Sequence, residues 1–202
     1  MVLSRPNCGF SYIELLVSTA IIGICYLIYL GPGSHGYEIR ARAKCASNLQ
    51  QLHLSLALYA QEHDGWFPRT EGATSSEAPL SLLVPQYTTD TSLFICPAGK
   101  DSRLPAAKPF DDRRISYAYY MGVRQDDSAA ETPLISDSQL NAEPKLAGDR
   151  VFFEKHVSPG GNHRAFGGNI LYADGHVETL ESSAATRSLV PRPGVTLLNP
   201  KP

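Results

Sequence analysis

The sequence predicts an α+β chain, with a hydrophobic N-terminal helix interrupted near Pro32 and a second helix packed on a small antiparallel sheet. Three observations carry this prediction. Residues 10–30, FSYIELLVSTAIIGICYLIYL, form an apolar run whose only formal charge is Glu14. Between residues 37 and 63, apolar side chains recur at Ile39, Ala43, Ala46, Leu49, Leu52, Leu56 and Tyr59. Those spacings of three and four trace one stripe of a 3.6-residue period. Finally, residues 169–173 and 176–180 alternate on either side of Asp174-Gly175, the pattern of a β-hairpin.

The first element is a candidate membrane helix. At 1.5 Å per residue the run is about 31 Å long, close to the hydrocarbon thickness of a bilayer. A polar leader, residues 1–9, precedes it with Arg5, and Gly31-Pro32-Gly33 closes it. Proline lacks an N–H and glycine favours non-helical backbone, so residues 31–36 read as a hinge. A secretory signal peptide would place its small-residue cleavage site after the apolar run, where this chain has Gly-Pro-Gly. A plain signal anchor gives no reason for Glu14, and a carboxylate at membrane depth is costly and usually functional.

The residues Gly9-Phe10-Ser11-Tyr12-Ile13-Glu14-Leu15-Leu16-Val17 resemble the type IV prepilin signal, in which a leader ending in Gly is removed. The new N-terminus is then Phe, and Glu stands fifth in the mature chain. The resemblance implies processing between Gly9 and Phe10 by a prepilin peptidase/methylase, with N-methylation of Phe10. It also implies that Glu14 neutralises the terminal ammonium of a neighbouring subunit. In a low-dielectric filament core an unpaired carboxylate costs several kcal/mol, whereas a paired one can specify register. Cys8 precedes the apolar run, so it does not fit a lipobox. The implied fold is pilin-like and the implied location is the inner membrane. The chain would be single-pass, its globular domain periplasmic or extracellular, entering a filament on assembly. Flanking charge does not set this orientation, because Arg40, Arg42 and Lys44 lie beyond the run.

The second helix is expected over residues 37–64, ended by Asp64-Gly65 and Pro68. Leu54 and Leu58 broaden its stripe, His53 reads as a flank residue and His63 as a surface residue. The stretch KCASNLQQLHLSLALYAQEHDGWFP, with Cys96-Pro97 and Asp174-Gly175-His176, resembles a subgroup of prepilin-type proteins with a D-G-aromatic-P turn and a C-terminal D-G-H motif. If the domain lies outside the cytoplasm, as the resemblance implies, Cys45 and Cys96 are the cysteines available for a disulfide. Closing a loop of about 50 residues would contribute up to roughly 4 kcal/mol. The alternative is two buried thiols, and Cys25 in the apolar run simply packs.

Residues 65–180 are expected to form the globular domain and 181–202 a loosely ordered tail. Strand candidates cover 115–121 and 133–137. With a two-residue type I′ turn at Asp174-Gly175, Ala173 faces His176 and Leu171 faces Glu178. Ile170 and Tyr172 then share the face turned to the helix with Val177 and Thr179.

With 202 residues, the chain holds one well-buried domain plus an appendage. A net charge of −2 without a basic face excludes nucleic acid as the expected partner. The 16 glycines and 15 prolines indicate loops, while 43% hydrophobic residues argue against disorder. None of the four cysteines forms a CxxC pair.

One polar cluster, Asn162, His163, Asn169, Asp174 and His176, invites chemistry. His163 and His176 with Asp174 or Asp137 are candidate metal donors, although two histidines lean away from calcium. The competing reading has Asp174-Gly175 making the turn while the other groups satisfy loop backbone. The Gly-rich segments lack the GK[ST] of a phosphate loop, and neither G-x-S-x-G nor H-E-x-x-H occurs. No enzyme activity and no obligatory cofactor is therefore expected. The expected function is a structural subunit of a type IV pilus or type II secretion pseudopilus. Its partners are other pilin or pseudopilin subunits, the processing peptidase and membrane lipid. A displayed binding module, for instance for polysaccharide through Tyr117, Tyr119 and Tyr120, is the alternative, and a tethered hydrolase a more distant one.

Overall fold

In the computed structural model of the chain, the described residues are 11–30, 33–99, 101, 110, 113–127, 130–152, 161–163, 166–181, 189 and 192–202. They form an α+β structure with three α-helices and one five-stranded antiparallel sheet. Gly9, Phe10, Cys8 and the Gly31-Pro32 step lie outside them. The chain divides into two compact units, Met1–Tyr37 and Glu38–Pro202.

The first unit holds helix α1, Tyr12–Leu30. From residue 11 to 27 none of its side chains is buried, and apolar groups are exposed all round, from Tyr12 at 77% to Leu27 at 70%. Its hydroxyls are satisfied within the helix: Ser18 donates to the Leu15 carbonyl at 3.0 Å and Thr19 to the same carbonyl at 2.9 Å. Among the described residues no helix is long and apolar enough to cross a membrane. The apolar run read from the sequence, 10–30, extends past the described side chains, 11–27, at both ends.

Helix α2 spans Gly33–Glu62, and its residues from Glu38 onward belong to the second unit. It stops where expected. Asp64 (φ 53°) and Gly65 (φ 79°) enter the left-handed region, and the Gly65 N–H returns to the Ala60 carbonyl at 2.8 Å. The buried face differs from the expected stripe in its first half. Leu49, Leu52, Leu56 and Tyr59 are buried as expected, but the stripe continues N-terminally through Ala41 and Cys45. Ile39 and Ala43 are exposed, as are Leu54 and Leu58. The small side chains at 41 and 45 let the helix backbone approach the sheet closely enough for the Asn169 Nδ2 to donate to the Arg42 carbonyl at 3.0 Å. Each of Leu49, Leu52 and Leu56, fully buried, contributes about 1.5–3 kcal/mol.

After α2, a loop-rich stretch carries the four-residue α3, Glu77–Leu80, and 3-10 turns at Ser81–Leu83 and Thr91–Phe94. The strands are β1 (Tyr117–Met121), β2 (Pro133–Asp137), β3 (Gly168–Tyr172), β4 (Val177–Leu180) and β5 (Thr196–Leu198). Their order is β4-β3-β2-β1-β5. Register pairs Ala118 with Ser136, Ser136 with Ile170 and Tyr120 with Leu197. The expected tail therefore contributes a strand at Thr196–Leu198. It is tied down further by the Asn199 side chain, which exchanges hydrogen bonds of 3.1 Å with the Gln139 backbone, and by the Lys201 N–H, which donates to buried Glu77 at 3.0 Å. The long-range pairing with β1 overrides the proline-rich composition of that segment.

The hairpin joining β3 and β4 forms, but one residue out of the expected register: Leu171 pairs with Val177 and Ile170 with Glu178. Only Gly175 of the turn pair has positive φ, 93°. Its N–H reaches the Tyr172 carbonyl at 2.9 Å, and the Tyr172 N–H reaches the His176 carbonyl at 3.0 Å. This is a three-residue loop with a left-handed glycine, not a two-residue type I′ turn. Asp174 stays out of the left-handed region because its carboxylate accepts the His176 N–H at 3.0 Å. The faces are exchanged accordingly. Leu171 and Ala173 pack in the main core with α2, whereas Ile170 and Tyr172 join Val151, Phe152, Leu180 and Leu189 in a second cluster. All of β1 but Met121, and all of β2 and β3, are buried.

Candidate functional site

The elements of the second unit bring four ligand-type side chains to one buried point: Cys45, Cys96, Asp137 and His163. Cys45 sits on the sheet-facing stripe of α2, four residues before Leu49. Cys96 follows the turn Thr91–Phe94, which Asp90 caps by accepting the Ser92 N–H at 3.0 Å. The Cys96 N–H is held by the Ser116 hydroxyl at 2.8 Å. Asp137 is the last residue of β2, and His163 lies in a turn closed by the Phe166 N–H on its carbonyl at 3.1 Å.

The four ligand atoms lie within 4.8 Å of one another, and all four residues are at most 1% exposed. His163 Nε2 is 3.3 Å from Cys96 Sγ and 3.4 Å from Asp137 Oδ2. Asn169 supports the carboxylate, its N–H donating to Oδ2 at 2.8 Å and its Nδ2 at 3.1 Å. Asn162 Nδ2 donates to the Ser116 carbonyl at 3.0 Å, and its Oδ1 accepts from the Ser138 hydroxyl at 3.2 Å. Cys45 and Cys96 are free thiols.

Electrostatics within the cluster is strongly coupled. Burial pushes the Cys45 thiol far up, with Cys96 and Asp137 adding to it. Burial also pushes Cys96 up, but hydrogen bonds with Cys45 and His163 outweigh it and bring this thiol below its ordinary value. Burial would lower His163, yet the Asp137 carboxylate and Cys96 hold it above the usual imidazole range. The Tyr117 hydroxyl is driven upward by burial and then by the two sulfurs and Asp137. That hydroxyl lies against the Cys45 sulfur, and His163 Nδ1 is buried without a hydrogen-bond partner among the described residues.

The arrangement is unlike a nucleophile–base–orienter set. In such a set the orienting carboxylate takes the Nδ1 hydrogen while Nε2 faces the nucleophile. Here the sulfur and the carboxylate share Nε2, and the group is sealed from solvent. Its donor set of two sulfurs, one imidazole and one carboxylate is of the kind that ligates metal ions.

The metal donors expected from the sequence separate into two places. His163 and Asp137 come together in the buried cluster, while Asp174 and His176 pair with each other at the hairpin turn, Nδ1 to Oδ1 at 2.6 Å. That second pair is exposed, and His176 stacks on Tyr172 at 4.3 Å. Among the described residues the Cys45–Cys96–Asp137–His163 set is the one group of three or more potential ligands. What sequence reasoning missed is that the two cysteines join His163 and Asp137. The signal was available only in part. Cys45 is four residues from Leu49 on the core face, and Asp137 ends an apolar strand, so both point inward.

The tyrosines expected as an exposed contact surface are not exposed. Tyr117, Tyr119 and Tyr120 are fully buried. Tyr119 donates to the Pro68 carbonyl at 2.8 Å, and Tyr120 accepts from Gln139 Nε2 at 2.7 Å. Strand β1 is an interior strand, flanked by β2 and β5, and Tyr117 to Tyr120 are buried in the main core. Compared with known protein families, curated proteins and solved structures, the chain matches none.

Proposed function

We propose that the chain is a prepilin-type filament subunit, belonging to a type IV pilus or a type II secretion pseudopilus. In this reading residues 1–9 are removed by a prepilin peptidase, residues 10–30 insert in the inner membrane, and the α+β unit is displayed outside the cytoplasm. The observation that carries it is α1: apolar on every side, with no buried side chain from residue 12 to 27, and charged only at Glu14. A helix apolar all round is stable in water only if something else covers it. The order of use is lipid first, then neighbouring copies of the same helix. The internal bonds of Ser18 and Thr19 suit both environments, since neither hydroxyl asks for an outside partner. Assembly by such helices is a heterologous contact that propagates rather than closes.

Glu14 has the second role. Buried among apolar helices it needs a cation, and the α-amino group of a chain beginning at Phe10 supplies one. The α+β unit fits a pilin-like head, in which the second helix lies along an antiparallel sheet. Mass spectrometry of the membrane fraction should find a mature chain starting at Phe10. Glu14→Leu should leave membrane insertion intact and abolish or strongly reduce filaments. An intact Met1 terminus in cells with an active prepilin peptidase, or filaments unchanged by Glu14→Leu, would overturn the assignment or the pairing respectively.

A further inference from the structure

We propose that Cys45, Cys96, Asp137 and His163 form a structural zinc site, holding Zn²⁺ through two thiolates, His163 Nε2 and one Asp137 carboxylate oxygen. Two of the distances favour this over a hydrogen-bonded cluster. A charge-assisted N–H···O bond settles at about 2.7–2.9 Å. His163 Nε2 and Asp137 Oδ2 stand at 3.4 Å, although both are fully buried and a shorter contact would stabilise an ion pair. Ligands placed tetrahedrally around zinc at about 2.0–2.3 Å are separated by roughly 3.3–3.8 Å. The 3.4 Å separation, and the 3.3 Å between Cys96 Sγ and the same nitrogen, match edges of such a tetrahedron, and with all four ligand atoms within 4.8 Å of one another a small inward shift closes the shell. One nitrogen facing both a sulfur and a carboxylate oxygen has a single hydrogen to offer, whereas a cation at the centre satisfies all four atoms together.

The surroundings agree with the charge that metal ligation needs. The Asp137 oxygen turned to the site is fixed by two donors from Asn169, the outer support that ligating carboxylates characteristically receive. The Tyr117 hydroxyl is buried beside the cluster. It is close enough to interact with the Cys45 sulfur and would donate to it as a thiolate. Two thiolates favour zinc over calcium or magnesium, and four protein ligands leave no open position, so the site is structural rather than catalytic. It would join α2, the turn after Phe94, the end of β2 and the turn at His163. This site is independent of the filament assignment, because it rests on the second unit alone.

The test uses the full chain, extracted in detergent without reductant or chelator. Metal analysis should find one zinc per chain, with Cys45 and Cys96 unreactive toward an alkylating agent, unlike exposed Cys25, until a chelator is added. Replacing the zinc with Co²⁺ in the unmutated chain should produce thiolate-to-cobalt charge-transfer absorption and the intense visible bands of tetrahedral cobalt. Asp137→Asn should weaken zinc binding by at least the roughly 10–100-fold that loss of an outer-shell partner costs. A chain isolated with a Cys45–Cys96 disulfide and without metal would overturn the proposal. So would free thiols that take up neither Zn²⁺ nor Co²⁺.

Discussion

Asn169→Ala should loosen α2 from the sheet by an amount that can be worked bond by bond. The Asn169 side chain is fully buried and makes three hydrogen bonds: Nδ2 to the Arg42 carbonyl at 3.0 Å, Nδ2 to the Asp137 carboxylate at 3.1 Å, and Oδ1 from the Thr179 hydroxyl at 2.9 Å. The bond to a carboxylate is worth about 1.5–3 kcal/mol and the bond to a neutral carbonyl about 0.5–1.5 kcal/mol. Thr179 is exposed, so its hydroxyl turns to water at little cost. The expected loss is therefore about 2–4.5 kcal/mol. With a guanidinium slope of about 4 kcal/mol per molar, the unfolding midpoint falls by roughly 0.5–1 M. Emission from Trp66, the only tryptophan, reports the transition in the full chain held in detergent. Asn169→Asp is the sharper variant, because it sets a second carboxylate where Nδ2 now lies 3.1 Å from Asp137. It should fall further than the Ala variant above neutral pH. A midpoint shift under about 0.2 M for Ala, or an Asp variant no worse than Ala, would refute this account of how the sheet is fastened to the helix.

Two more substitutions test the fold. Gly167 has φ of 76°, and a Cβ there would sit 1.9 Å from the Leu180 carbonyl oxygen. Gly167→Ala should thus displace β4 and sharply reduce the yield of folded chain, read as lost protease resistance; normal yield and resistance would show that the approach is not as close as described. On α2, Leu52→Ala should cost about 2–5 kcal/mol. Leu54→Ala, on the exposed side, should stay within about 0.5 kcal/mol, and equal losses at both sites would reverse the assigned faces.

The two long helices and the existence of the hairpin were legible because they rest on local chemistry, although α2 begins at Gly33, inside the stretch 31–36 expected as a hinge, and the short α3 was not foreseen. The period of Leu49, Leu52 and Leu56, the stop at Asp64-Gly65, and alternation around Asp174-Gly175 are each contained in a short window. What was not legible depended on partners distant in sequence. Whether the stripe extends through Ala43 or Cys45 is decided by how closely the Arg42 carbonyl can approach Asn169. The hairpin register turned on Asp174 using its carboxylate to bond the His176 N–H rather than adopting positive φ. The aromatic-rich strand β1 was read as a contact surface, whereas Tyr117, Tyr119 and Tyr120 are buried in one core with residues of α2 and of the stretch 67–94, partners distant in sequence. For the cluster, His163 and Asp137 were recognisable as donors, but nothing in the spacing of Cys45 and Cys96 tied them to a histidine 67 positions beyond the second of them.

The late segment Thr196–Leu198 has a consequence for the order in which the fold is completed. Strand β1 pairs with β2 within twenty positions or so, but its other edge waits for residues roughly eighty positions downstream. Such high contact order is slow to close, because the loop entropy is lost before the pairing compensates for it. Until the segment arrives, β1 offers a row of unpaired N–H and carbonyl groups, the template on which chains aggregate edge to edge. Asn199 and Lys201 then fasten that segment to Gln139 and Glu77. Residues 196–201 thus act as a latch. A chain still being synthesised carries an open edge on β1, and that edge is covered only when the latch is drawn.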